Sequence, residues 1–177
     1  VAARHLRHWG ADVTVYLWTR QQQPDPNLDE IVRRNIPVAH VDDDPGLQGL
    51  RAMLDEQTIV IDALLGAGKA RPIEGTLANL LEMINRLRAP LLLHVVAVDL
   101  PTGMDPDSGQ IDPVTVPAEL TVTLALPKLG MFQREGPLYT GHLVVADIGI
   151  PEEVSSGTHV NLVTPDTVGA CLPSRPL

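Results

Sequence analysis

Leu91-Leu92-Leu93-His94-Val95-Val96-Ala97-Val98-Asp99-Leu100-Pro101-Thr102-Gly103 is the stretch on which the fold turns. Residues 91–98 are apolar at every position except His94. The run is far too short to span a membrane and has the length of a strand. Apolar residues at both phases of a period-two element predict burial on both faces, the habit of a parallel sheet covered by helices. The strand ends in Asp99, and Pro101-Thr102-Gly103 turns the chain directly behind it. The β-branched run Thr58–Ala63 has the same form, with Asp62 at its end and Leu64-Leu65-Gly66 beyond.

Outward from these two strands the pattern alternates. Val1–Trp9 reads as a helix stopped by Gly10, and Val13–Trp18 as a strand. Asn27–Asn35 reads as a helix with Asn27 as N-cap and Glu30 three residues on. Pro37–Val41 reads as a short strand. Asp44-Pro45 predicts an N-cap and first turn for a helix carrying Leu47, Leu50, Met53 and Leu54. Thr76–Arg88 is the clearest helix, with Leu77, Leu80, Leu81, Ile84 and Leu87 on one stripe. Leu120–Leu126 and His142–Ile148 read as strands, and Thr158–Val163 as an edge strand. The expected fold is a three-layer α/β sandwich with a mostly parallel central sheet and right-handed crossovers. A doubly wound sheet has a strand and a turn ahead of a helix such as Val1–Trp9. The pattern therefore predicts an N-terminally truncated fold that lacks its first strand and loop.

Composition bounds the function. The 177 residues are 44 % hydrophobic, enough for one domain's core, and hold 16 prolines and few aromatics. The net charge of −9, from 13 basic and 22 acidic residues, argues against a partner bound through phosphate contacts, so no nucleic acid is expected. No apolar segment reaches membrane-spanning length and no signal peptide is visible, so no membrane partner is expected. Cys171 is the only cysteine, which rules out an internal disulfide and points to a reducing, cytoplasmic setting.

Open parallel sheets bind ligands beyond the carboxyl ends of their strands, where Asp62 and Asp99 both fall. A carboxylate closing an apolar strand needs partners, because burying it alone is costly. Its plainer role is to cap nearby loop amides. Gly66-Ala67-Gly68-Lys69-Ala70-Arg71-Pro72 is a glycine-rich turn with two cations. It is not a P-loop, since Ala63 stands where the first glycine belongs and Ala70 where Ser or Thr follows Lys. Backbone approach plus charge nevertheless suits a pyrophosphate, against the plainer reading of a solvated loop. The Pro101-Thr102-Gly103 turn is placed to hold the Thr102 hydroxyl and loop carbonyls near Asp62, an oxygen-only set suited to a hard cation, against the plainer and favoured reading of an ordinary tight turn. Lys128, after Pro127, is placed to bind an anion or tune a neighbouring acid, or is simply a surface lysine. His5 and His8 share a helix face with Arg4 and Arg7 and read as solvated. His94 reads as a satisfied core or near-surface histidine. No Ser–His–Asp or Cys–His arrangement is present.

These segments resemble the YjeF N-terminal domain family, the NAD(P)H-hydrate epimerases. The resemblance runs through Val1-Ala-Ala-Arg-His-Leu6, Val60-Ile-Asp-Ala-Leu-Leu-Gly-Ala-Gly68, Arg71-Pro-Ile-Glu-Gly75 and Ala97-Val-Asp-Leu-Pro-Thr-Gly-Met-Asp105. It continues in Leu120-Thr-Val-Thr123 with Pro127-Lys128, and in Val145-Ala-Asp-Ile-Gly-Ile-Pro151. It implies a Rossmann-like fold and a damaged cofactor as substrate, the hydrate of NADH or NADPH (NADHX, NADPHX), interconverted between its R and S epimers. It implies a substrate loop over Gly66 to Pro72, with Lys128 also on the substrate, and Asp99 as the catalytic, substrate-contacting acid. It implies a potassium ion on Asp62 and on Thr102, where the family usually has Ser. The family's Asn-Asn-Gly-Gly-Asp-Gly loop is expected ahead of Val1. Residues 172–177 resemble the link to a fused dehydratase domain, after an epimerase domain over 1–171. A chain without that first loop is expected to show little activity by itself.

Two other classes stand beside this one. Domains resembling the family also serve as non-catalytic binding or scaffold modules, and homo-oligomers are compatible with the sequence. An ordinary NAD(P)-dependent oxidoreductase is disfavoured by the absence of GxGxxG.

Overall fold

The structure, a computed structural model, describes residues 1–19, 24–68, 72–155, 157, 160 and 162–171. It falls into two compact units, Val1–Ala146 and Asp147–Leu177.

In the first unit helices and strands alternate: α1 (Ala2–His8), β1 (Val15–Leu17), α2 (Pro26–Arg33), β2 (Val38–His40), α3 (Gln48–Asp55), β3 (Ile59–Asp62), α4 (Gly75–Arg88) and β4 (His94–Val98). β5 (Leu120–Leu124), α5 (Gly136–Thr140) and β6 (His142–Ala146) follow. Every strand pair is parallel, so the chain forms a Rossmann-like α/β sandwich. The ladder β3-β4-β5-β6 is the central sheet, and β1 pairs with β2 separately. The second unit holds α6 (Glu152–Ser155) and α7 (Pro165–Cys171), neither of which the hydropathy pattern announced.

The core lies under α3 and α4. Leu50 and Leu54 of α3 join Leu77, Leu80, Leu81, Ile84 and Leu87 of α4 against Val95 and Ala97 of β4. These α4 positions are the stripe expected from its spacing. Burial of β4 alternates, however, and corrects the expectation of a strand buried on both faces. Val95 and Ala97 are buried, Val96 and Val98 are half-buried, and His94 is exposed. The helices coat the face of Val95, while on the other face Ile59, Ile61 and Val144 remain 53 %, 40 % and 41 % exposed.

β1 and β3 are not joined by hydrogen bonds. A cleft of about 160 Å³ separates them, with Tyr16 of β1, Leu54 of α3 and Ile59 to Asp62 of β3 on its walls. Voids much larger than a water molecule are unusual in packed interiors.

Several boundaries differ from the sequence reading for local reasons. The N-cap of α2 is Asp25, not Asn27; its carboxylate accepts from the Asn27 amide at 2.9 Å, and Pro26 takes the first helical position. Asp44 does not start α3 directly. Gly46 and Leu47 turn through positive φ first, and Asp44 reaches forward to the amides of Gly49 and Leu50. β4 starts at His94 because Leu92, at φ 54, ends the turn after α4. Of the edge strand expected over 158–163, residues 158, 159 and 161 lie outside the described residues, and Val160, Leu162 and Val163 are not in a strand. Residues 172–177 also lie outside the described residues.

Candidate active site

β3 and β4 run in register, with Asp62 opposite Ala97, so Asp62 and Asp99 close adjacent strands on one rim. Their environments differ sharply.

Asp62 is 6 % exposed and Thr102 is fully buried. The Thr102 hydroxyl donates to Asp62 Oδ1 at 2.6 Å, and the Thr102 amide donates to Oδ2 at 2.8 Å. The same hydroxyl accepts from the Leu65 amide at 3.1 Å. Burial pushes the Asp62 carboxyl above its ordinary range, and the bonds from Thr102 and the Leu64 amide only partly oppose this. Asp112, which the sequence reading missed, accepts from the Ile73 amide at 2.9 Å. The described ends of the glycine loop, at Leu65 and Ile73, are thereby pinned to the turn that follows β4. The signal for Asp112 was its place before Pro113, a turn-initiating pair.

Gly103 permits this packing. Its φ of 96° is left-handed, and a Cβ there would lie 2.3 Å from Thr115 Oγ1 and 2.9 Å from Ile73 Cδ1. Thr115 Oγ1 is buried with no hydrogen-bond partner among the described residues.

Asp99 is held otherwise. Its φ of 72° is left-handed, a conformation that Asp tolerates better than most residues and that clusters at functional rims. Lys128 Nζ donates to its Oδ1. The Leu124 amide donates to the same oxygen at 3.0 Å, and Thr123 Oγ1 stands 3.4 Å from it. Oδ2 of Asp99 carries no protein hydrogen bond among the described residues. Burial raises the Asp99 carboxyl, but the bond from Lys128, the Leu124 amide, the charge of Lys128 and the long bond from the Thr123 hydroxyl outweigh it, and the net shift is downward. Asp99 and Lys128 keep 17 % and 18 % of their side-chain surface exposed, so the pair is reachable from solvent.

Lys128 is not a free surface lysine. Its three N–H donors meet Asp99 Oδ1, Thr123 Oγ1 at 3.0 Å and the Leu124 carbonyl at 3.1 Å. Gly66, Ala67, Gly68 and Pro72 are exposed, as a solvent-facing loop requires, and nothing crowds a Cβ at Gly66 or Gly68. Lys69, Ala70 and Arg71 lie outside the described residues. Among the described residues no three His, Cys, Asp or Glu side chains gather into a metal cluster.

Residues 1–130 match the family described as YjeF-related protein N-terminus. The chain belongs to that family. Among its YjeF-related kin, the bifunctional NAD(P)H-hydrate repair enzyme Nnr of Thermofilum pendens is 36 % identical over 172 residues, 95 % of this chain and 32 % of the relative. The NAD(P)H-hydrate epimerase of Levilactobacillus brevis is 32 % identical over 148 residues, 84 % of this chain and 65 % of the relative. The chain spans about a third of the length of the bifunctional relatives. The crystal structure of yeast ynu0, YNL200c, superposes with a TM-score of 0.71 over 94 % of this chain and 68 % of the yeast chain, at 22 % identity. That likeness shows that the YjeF-related fold is shared.

Proposed function

We propose that this YjeF-related chain carries the epimerising centre of a nicotinamide-cofactor repair enzyme, acting on the hydrates of NADH and NADPH. The observation that carries the reading is the divided carboxylate of Asp99: one oxygen is fixed by Lys128 and Leu124, and the other has no hydrogen bond among the described residues, on a solvent-reachable rim. The names of the relatives, NAD(P)H-hydrate epimerase and bifunctional NAD(P)H-hydrate repair enzyme, support the substrate class.

The hydrated ring carries a hydroxyl on a carbon bonded to the ring nitrogen. Epimerisation breaks that C–O bond and remakes it on the opposite face. The nitrogen lone pair forms a C=N bond as the hydroxyl, taking a proton, leaves as water. Asp99 Oδ2 supplies the proton as acid, and the carboxylate left behind stabilises the cationic ring. Water then adds to the other face and returns its proton to Oδ2, so the cycle closes with no net proton change. Lys128 favours the ionised form, which helps the ring cation and the returning water but makes the protonated form scarce at neutral pH. The rate is therefore expected to fall as pH rises above the Asp99 pKa.

Asp62 and Thr102 fit a potassium ion by their chemistry. They offer one carboxylate and one hydroxyl, the Thr115 hydroxyl, without a partner among the described residues, lies against the next residue, and a buried carboxylate raised by burial gains from a cation beside it. The ion's part is to neutralise Asp62 and stiffen the loops that Asp62, Thr102 and Asp112 already tie together. A fused dehydratase domain is the partner that the bifunctional relatives suggest.

The test is conversion of (R)-NADPHX to the S epimer, read by chromatography with the spontaneous rate subtracted. The polypeptide used carries residues 1–177 together with the sequence flanking them in its gene. Acceleration supports the reading. Binding of NADPHX without acceleration supports a non-catalytic nucleotide-binding module of the same fold.

A further inference from the structure

Thr123 has no place in the chemistry above, yet it is fully buried with its hydroxyl among charged groups. It sits on β5, one residue past Val122, which is opposite Val98 of β4. Its backbone position therefore lies level with Asp99. A hydroxyl buried in an apolar sheet costs free energy unless it is bonded, and here its shortest contact is Lys128 Nζ at 3.0 Å. The chain returns Lys128 to this point through a tight turn. Ala125 takes a left-handed φ of 62°, and the Leu126 amide closes onto the Leu124 carbonyl at 2.8 Å. An alanine in that conformation is strained, so the turn is held by what it brings together.

The result is a tripod. The ammonium has three donors and three acceptors: Asp99 Oδ1, the Leu124 carbonyl and the Thr123 hydroxyl. The carbonyl is part of the backbone and Asp99 is the reacting group, which leaves Thr123 as the side chain that determines where the ammonium rests. A hydroxyl accepts from the ammonium whether Asp99 is ionised or not, so this anchor persists through a change of charge at Asp99. We propose that Thr123 is a positioning residue: it seats Lys128 on Oδ1 of Asp99, so that Oδ2 is the oxygen presented to a ligand. The inference rests on the reading of Asp99 as the acid–base group but is testable without turnover.

Among the described residues Lys128 is the charged group in contact with Asp99. Asp62, at the end of β3, and Asp105, further along the same turn, have carboxylates whose described hydrogen bonds go elsewhere. If Thr123 acts through Lys128, removing its hydroxyl lets the ammonium drift and raises the Asp99 pKa. An opposite charge in contact lowers a carboxyl by about 1–3 pH units, and partial displacement gives back about one of them.

The experiment is a ¹³C NMR titration of the Asp99 carboxyl in the 177-residue chain. Thr123→Val keeps the side-chain shape, Thr123→Ser keeps the hydroxyl, and Lys128→Met removes the charge. The expected result is a rise of about one pH unit in Thr123→Val, a wild-type value in Thr123→Ser and a larger rise in Lys128→Met. The double variant Thr123→Val/Lys128→Met should lie close to Lys128→Met alone, because the direct Thr123–Asp99 bond is long and the rest of the effect passes through Lys128. An unchanged Asp99 titration in Thr123→Val overturns the proposal. So does a further rise in the double variant as large as that of Thr123→Val alone, which would show Thr123 acting on Asp99 directly and not through Lys128. Should Thr123→Val not fold, Thr123→Ser replaces it, and a Ser variant that folds with a raised Asp99 pKa also overturns the proposal. A normal titration pattern in a chain that fails to epimerise NADPHX would leave the tripod standing and remove the proposed activity.

Discussion

Thr102→Val isolates the joint between the two strand-end loops. The side chain is fully buried, and Val keeps its shape, so no cavity opens. What disappears is one hydroxyl with two bonds. The first is the 2.6 Å bond to Asp62 Oδ1, and a bond to a charged group contributes about 1.5–3 kcal/mol. The second leaves the Leu65 amide unpaired, at about 1–3 kcal/mol for a buried donor. Leu65 is 42 % exposed, so water repairs part of this loss and the lower end applies. The sum is about 3 kcal/mol, or a fall of about 6–12 °C in Tm for a chain of this size. Thr102→Ser keeps both bonds and gives up one buried methyl, about 1 kcal/mol. Urea and thermal unfolding of the three proteins in one buffer provide the comparison. A Thr102→Val protein within about 0.5 kcal/mol of the parent, the range of an indifferent surface change, would refute the assigned joint.

The Asp62 carboxyl is raised by burial, so its folded pKa lies above its unfolded value. Its contribution to stability is then fully present below the unfolded pKa and is lost as pH rises through the folded one. The parent-minus-Asp62→Asn difference in unfolding free energy should slope downward across that window and level off above it, as read by urea titrations at several pH values. Potassium chloride should flatten that slope and lithium chloride should not, with Asp62→Asn insensitive to the choice. Identical curves in the two salts would leave Asp62 as a loop-capping carboxylate.

Much of this site was legible because strand ends are legible. An apolar run that stops at an acid marks both the element and the rim, and Asp62 and Asp99 stand where that rule put them. Helix α4 was equally plain, since five leucine and isoleucine positions repeat at helical spacing. The covering of the sheet was not legible. The Leu91–Val98 run reads as buried on both sides whether or not a helix lies on each face, and here α3 and α4 coat one face only. The caps of α2 and α3 were misplaced because Asp25-Pro26 and Asp44-Pro45 look alike in sequence, while only the second is followed by a left-handed Gly46-Leu47 turn. Asp112 and Thr123 were missed for a different reason. Each works across a distance in sequence, to Ile73 and to Asp99, that no local spacing reveals. For Thr123 a weak signal did exist: Thr121 and Thr123 alternate on a strand face that should be apolar.

The central claim is that Oδ2 of Asp99 does the proton work at the hydrated carbon. The direct measurement is the R-to-S conversion rate of NADPHX by Asp99→Asn in the polypeptide with its native flanks, spontaneous conversion subtracted, beside its melting curve. Asn keeps the shape and one acceptor but cannot exchange a proton, so the account predicts a folded protein that still binds NADPHX and turns over about 10²–10⁴-fold more slowly. A folded Asp99→Asn protein with near-parental turnover would contradict it.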